Sequence, residues 1–243
     1  VPEPRSESVA RLGPRSVAAV VPARDEAPRI AEVLRTMPAE VARIVVVDDG
    51  SRDGTAARAE GVDPRVTVIR HAQSRGVGAA LATGYREAFA GGAEVVVVLA
   101  GDGQMDPADL PFLLGALGPP GEAVYVKGTR LTAPRVLRDM PASRLVGNVA
   151  LTLLTRAVTG LDVTDAQCGY TALTRSAAER LDLPSLWSRY GYPNDLLARC
   201  AARAVPVREV PVRAVYRGEA SGLRLRDALL TVPLALCTSG WRS

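Results

Sequence analysis

The stretch RIVVVDDGSRDGT, residues 43–55, decides the fold. Its apolar core, Ile44–Val47, is short, continuous and β-branched, which suits a strand buried on both faces of a parallel sheet. It runs directly into Asp48-Asp49-Gly50-Ser51 and then Asp53-Gly54-Thr55. Gly50 and Gly54 permit a sharp turn there, and Asp53 or Thr55 can cap the helix that follows. Working outward, Val17–Val21, Val66–Ile69 and Val95–Leu99 repeat the strand pattern, and Ile30–Met37, Thr55–Glu60 and Gly78–Ala90 carry helical patterns between them. In the last of these, Ala79, Ala82, Ala88 and Phe89, with Leu81 and Tyr85, predict a tightly packed helix. Strand, loop and helix in regular alternation predict an α/β fold: an open, mostly parallel sheet with helices on both faces, in a single Rossmann-like domain.

The second half is less regular. Ala123–Val126, Tyr170–Leu173 and Val207–Tyr216 read as strands, and Arg144–Thr159 and Pro193–Ala204 as helices. GPPG at 118–121 reads as a turn, because a strand pattern resumes at once. Residues 1–15 are rich in Pro, Arg and Ser without periodicity, which predicts a loose arm, and residues 16–222 form the domain. Residues 223–243 predict an amphipathic tail in which Leu223, Leu225, Leu229, Leu230 and Leu234 stand beside Arg224 and Arg226, ending in Trp241-Arg242. Such a tail suits either a membrane surface or a helix docked on the domain, and Pro233 interrupts both.

Of the 243 residues, 47% are apolar and 23% charged, an ordinary globular composition that excludes a largely disordered chain. The net charge of +4 is too mild to indicate nucleic acid. Cys168, Cys200 and Cys237 form no metal-binding spacing, and the single histidine, His71, has no cysteine partner, so neither a structural zinc site nor a disulfide framework is expected. Cys168 reads as a packing residue and His71 as a strand-end residue. The apolar runs Val95–Ala100 and Leu229–Cys237 fall well below the roughly 20 residues of a spanning helix, and the opening residues lack the apolar core of a signal peptide. A cytoplasmic protein is expected, one that at most rests at the inner face of a membrane.

In an open α/β sheet, ligands collect beyond the carboxyl ends of the strands. PARDE (22–26), DDGSRDGT (48–55) and GDGQMD (101–106) all fall there. Asp49 can accept hydrogen bonds from a base N–H or from ribose hydroxyls, although an acidic pair in a capped turn has the same local pattern. Arg75-Gly76-Val77-Gly78 opens a helix, a place where N–H groups attract phosphate, and equally a plain helix start. The segment is not GxGxxG and no Walker lysine follows it, so dinucleotide and P-loop readings lack their key residues. Asp102 and Gln104 can direct oxygens toward one hard cation bridging a diphosphate, while Gly101 and Gly103 let that diphosphate approach the backbone. Asp106-Pro107 reads as the start of the next helix.

The ordered set PARDEA (22–27), VVVDDGSRDGT (45–55), RGVGAALATGYREA (75–88) and GDGQMDP (101–107) resembles the family 2 glycosyltransferases of the GT-A fold. KGTR (127–130), SRLVGN (143–148), DAQCGYTAL (165–173), RYGYPNDLL (189–197) and VREVPVRAVYR (207–217) are similar to the polyprenyl-phosphate branch, which includes dolichol-phosphate mannose synthases. The likeness spans residues 16–226. It implies that Pro22, Arg24 and Glu26 line the nucleotide base, that Asp49 reads base or ribose, and that Arg75, Gly76, Gly101 and Asp102 hold the donor. It implies a divalent cation (Mg²⁺ or Mn²⁺) on Asp102 and Gln104. Arg130 and Arg144, with Arg217 as a further candidate, would hold an anionic acceptor, and Asp165 and Asp195 would stand near sugar and acceptor. The chain departs from the family pattern at Ala100, where the usual DxD has its first aspartate, and Arg24 and Val77 replace the more usual Asn and Lys.

The expected activity is inverting transfer of a hexose from a GDP- or UDP-linked donor to a polyprenyl-phosphate acceptor. A soluble hydroxyl or amine acceptor, on a small molecule or saccharide, is the alternative, with Asp195 as base. A nucleotide-sugar-binding protein without turnover, suggested by Ala100, is the third.

Overall fold

The computed structural model describes residues 15–131 and 140–213. The predicted arm at 1–15 (Arg15 apart), the tail at 223–243, Arg217 and the end of the strand predicted for Val207–Tyr216 lie outside them. The strands are β1 (Val17–Ala23), β2 (Val41–Asp48), β3 (Val66–Arg70), β4 (Val95–Val98), β5 (Tyr125–Thr129), β6 (Thr171–Thr174) and β7 (Val207–Pro211). The helices are α1 (Ile30–Arg35), α2 (Thr55–Ala59), α3 (Val77–Ala90), α4 (Leu110–Gly115), α5 (Ala142–Thr159), α6 (Arg175–Ala178) and α7 (Tyr192–Ala202).

All the strands join one sheet in the order β3-β2-β1-β4-β6-β5-β7. β6 runs antiparallel to both neighbours, and the other pairings are parallel. The alternation of each strand explains why its run had to be apolar throughout. Ala19 and Val21 of β1, Ile44 and Val46 of β2, and Val95 and Val97 of β4 enter the core shared with Ile30, Leu34, Leu110 and Leu113. Ala18, Val20, Val45, Val47, Val96 and Val98 enter the opposite core, under Ala80, Leu81, Tyr85 and Ala88 of α3. Both faces of the sheet are therefore covered.

The packed face of α3 is Ala80, Leu81, Gly84, Tyr85 and Ala88, whereas Ala79, Ala82 and Phe89 of the predicted set are only half-buried. A Cβ at Gly84 would collide with Val20 of β1, so this glycine sets how closely helix and sheet approach. Since β1 leads outward through β2 on one side and β4 on the other, the sheet reverses order between β1 and β4. A crevice opens at their carboxyl ends. Among the described residues, no helix is long and apolar enough to cross a membrane.

Candidate active site

The crevice is a cleft of about 790 Å³. The strand-end loops form one wall through Pro22, Arg24, Glu26, Asp49, Arg75, Gly76, Gly101, Asp102 and Gln104. The second half of the chain forms the other through Arg130, Arg144, Asn148, Cys168, Tyr192 and Arg213. Among the described residues, every site residue expected from the sequence lines this cleft except Asp165 and Asp195.

The first two loops are stitched together. Asp25, in the left-handed region at φ 55°, donates its N–H to Ser51 Oγ at 2.9 Å and accepts from Arg52 N–H at 2.9 Å. Glu26 N–H donates to Thr55 Oγ1 at 2.8 Å and Ala27 N–H to Asp53 Oδ2 at 2.9 Å. Asp53 also accepts from Thr55 N–H at 3.0 Å, so both candidate capping residues serve this loop junction. The wall carrying Pro22, Arg24 and Glu26 is rigid for that reason.

Asp49 is buried and fully engaged. Its Oδ1 meets His71 Nδ1 at 2.8 Å and accepts from Arg75 N–H at 2.8 Å; its Oδ2 accepts from Ser74 Oγ–H and Gly76 N–H, each at 2.8 Å. Burial disfavours the charged carboxylate, but the hydrogen bonds from Arg75, His71, Ser74 and Gly76 outweigh it and hold Asp49 below the usual carboxylate range. His71 follows β3, as expected of a strand-end residue, and its Nε2 meets Thr83 Oγ1 at 3.0 Å. The ring thus ties Asp49 to α3.

This network bears on the start of α3, whose sequence suits a phosphate site or a plain helix start. The N–H groups of Arg75, Gly76, Gly78 and Ala79 have internal acceptors. Arg75 and Gly76 donate to Asp49, and Gly78 and Ala79 donate to the carbonyl of Ser188 at 2.8 and 3.2 Å. The anion at this helix terminus is an internal carboxylate. The glycines fit that role, since a Cβ at Gly76 would fall on Ser188 O and one at Gly78 on Trp187 O. Arg75 and Gly76 remain in the cleft wall, where the Arg75 side chain can face a donor.

Asp102 and Gln104 share the cleft floor, with Gln104 N–H donating to Asp102 Oδ1 at 2.9 Å. Asp106 caps the next turn by accepting from Ala108 N–H at 3.0 Å, as its position before Pro107 suggested. Among the described residues, no group of three or more His, Cys, Asp or Glu gathers to hold a metal. One carboxylate and one carboxamide suit a hard cation that takes its remaining ligands from phosphate oxygens and water, and do not amount to a dedicated cage.

Across the cleft, Arg130 grips Asp165 in a fork: Nε to Oδ2 at 2.7 Å and Nη2 to Oδ1 at 3.0 Å, with Arg130 N–H on Oδ2 at 3.1 Å. Asp165 is wholly buried behind Arg130. Burial opposes its ionisation, but the Arg130 guanidinium and the charge of Lys127 hold its carboxyl below the usual range. In this position it fixes the direction of the Arg130 side chain. Sequence reasoning missed the support beneath. Lys127, also wholly buried, reaches the Asp165 carbonyl and lies 3.7 Å from Glu209, and Glu209 accepts from Thr164 N–H at 2.7 Å. No local pattern marks Lys127 or Glu209; the isolation of the chain's one lysine is the only clue.

Asp195 is likewise engaged with its neighbours. It is buried at the start of α7, accepts from Trp187 N–H at 2.7 Å and Arg199 Nε at 3.0 Å, and does not line the cleft. A carboxylate so placed holds the 187–192 loop. Cys168 is buried with its thiol pushed up by desolvation, consistent with packing.

The sequence profile of glycosyl transferase family 2 matches residues 18–182. The chain is 29% identical over 213 residues to the UDP-N-acetylglucosamine–dolichyl-phosphate N-acetylglucosaminyltransferase of Methanococcus voltae, covering 81% of this chain and 84% of that one. It is 32% identical over 198 residues to the polyprenol monophosphomannose synthase of Mycolicibacterium smegmatis (78% and 74% covered). It is 33% identical over 178 residues to the undecaprenyl-phosphate mannosyltransferase of Micrococcus luteus (72% of each). In fold it is similar to glucosyl-3-phosphoglycerate synthase of Mycobacterium tuberculosis, solved with Mn²⁺, UDP and glucosyl-3-phosphoglycerate, at a TM-score of 0.73 and 22% identity over 98% of this chain and 85% of that one. The chain belongs to glycosyl transferase family 2 and is a glycosyltransferase.

Proposed function

We propose that this glycosyltransferase moves a hexose from a nucleotide sugar to a polyprenyl-phosphate acceptor with inversion, at the inner face of a membrane. The observation that carries the reading is the pair Arg130 and Arg144 on the cleft wall opposite Asp102, with Arg130 locked in direction by buried Asp165. A guanidinium whose direction is fixed by a buried carboxylate suits a phosphate group. The relatives that act, by name, on dolichyl, polyprenol and undecaprenyl phosphates support the same acceptor class.

The donor base lies against Pro22, Arg24 and Glu26, and the diphosphate faces Asp102 and Gln104. A divalent cation held there by Asp102, Gln104 and the diphosphate would offset the charge that develops on the leaving nucleotide. An acceptor phosphate oxygen attacks the anomeric carbon as the bond to the diphosphate oxygen breaks, and the nucleoside diphosphate leaves with that electron pair. An ionised phosphate carries its own nucleophilic charge and has no proton to surrender, so the burial of Asp195 is no obstacle. Arg130 and Arg144 fix the acceptor for in-line approach.

A soluble phosphorylated acceptor is the second reading, favoured by the fold match to a synthase solved with a phosphoglycerate product. Purified protein with Mn²⁺, radiolabelled nucleotide sugars and either undecaprenyl phosphate or 3-phosphoglycerate separates the two. Label in the organic phase is expected. Folded protein that labels neither acceptor from any common donor refutes the proposal.

A further inference from the structure

Helix α5 is built inside out. Its buried face carries Gly147, Asn148, Leu151, Thr152 and Thr155, and its outward face carries Val146, Val149, Ala150, Leu153 and Ala157. At 100° per residue the outward five fall in one stripe about 100° wide, opposite the polar inner face. Val146 is 67% exposed and Leu153 58%.

The polar inner face has a clear purpose. Asn194 of α7 donates to Thr155 Oγ1 at 2.6 Å, and Ala166 N–H donates to Thr152 Oγ1 at 3.1 Å, while Arg144 and Asn148 line the cleft. Among the described residues, nothing of the kind explains the outward face. Apolar side chains set outward in a row mark a surface that meets something apolar.

We propose that the outward face of α5 seats this enzyme on an anionic lipid bilayer, an inference that rests on the polyprenyl-phosphate reading above. Charge favours that partner: α5 contains no acidic residue, and its two charged side chains, Arg144 and Arg156, are both basic. Size disfavours a second copy of the chain. Five small aliphatic side chains offer a few hundred Å², against roughly 800 Å² per partner in a stable dimer. The placement also gives the helix a single logic. One face rests in lipid while the other presents Arg144 to the phosphate at the end of a lipid chain.

The test is sedimentation of the full chain with vesicles of phosphatidylcholine and phosphatidylglycerol that contain no polyprenyl phosphate. Wild type binds these vesicles, and binds pure phosphatidylcholine less. Val146→Glu and Leu153→Glu each weaken binding about tenfold without lowering the melting temperature, since neither side chain packs inward. Val158→Glu, exposed but off the stripe, binds as wild type does. Absence of vesicle binding overturns the proposal. So does equal binding by the stripe variants, which would move the contact to another segment such as 223–243. A lowered melting temperature, or an equal loss in Val158→Glu, overturns it as well. Transfer to a short, water-soluble prenyl phosphate without vesicles is read in parallel. Failure there condemns the acceptor assignment while vesicle binding still reports on the surface.

Discussion

Asp49 and His71 stand 2.8 Å apart at the ends of neighbouring strands, and the carboxylate between them also takes the N–H groups of Arg75 and Gly76. One buried anion thus holds the loop that would flank the nucleotide. Asp49→Asn keeps the shape but turns an NH₂ toward existing donors. The expected cost is about 2–4 kcal/mol of stability, with at least a tenfold loss of nucleotide affinity at temperatures where the variant is folded. Urea unfolding and calorimetry with UDP and GDP check both.

The ionisation of Asp49 and Asp165 sets a pH dependence. Both carboxyls are held below their ordinary values when folded, so the unfolded chain binds more protons in the acid range. Their contribution is complete above about pH 5 and is lost as pH falls through the folded values. Stability should therefore rise with pH up to about pH 5, and that slope should flatten in Asp165→Asn.

Asp195→Asn tests the reassignment of that residue. Loss of the Arg199 ion pair should lower the melting temperature by several degrees, by about 1–3 kcal/mol, while kcat at a permissive temperature stays within a few-fold of wild type. A general base would instead cost roughly 10²–10⁴ in kcat.

Arg130→Lys removes the planar fork yet keeps the charge. The acceptor KM should rise at least tenfold with the donor KM nearly unchanged. Asp165→Asn should show the same split, because Arg130 loses its direction. Steady-state kinetics with each substrate varied separates these effects from a general loss of folded protein.

Gly78→Ala places a methyl on the Trp187 carbonyl. The loop 187–192 must shift, and a destabilisation of about 1–3 kcal/mol is expected. Ala79→Gly, half-buried on the same helix, serves as the comparison and should cost only about 1 kcal/mol. Thermal melts distinguish them.

Much of this was legible beforehand. Val17–Val21, Ile44–Val47 and Val95–Leu99 declared themselves as doubly buried strands, and the loops after them had to meet at one crevice. What stayed hidden was the direction in which each acid points. Asp195 reads like a base in a site motif, but only the packing of Trp187 and Arg199 turns it inward. The Gly76–Gly78 segment reads like a phosphate cradle, but Asp49 and Ser188, 27 and 110 residues from their partners Gly76 and Gly78, fill it first. Pairings across such distances leave no trace in local spacing.

The carbonyl of Ser188 that closes the start of α3 has a consequence for how this protein could have been assembled. A helix from the nucleotide-side half is finished by an oxygen from the other half, so neither piece is a self-sufficient module. Cut between them, the fragments should be insoluble alone and regain structure only by complementation.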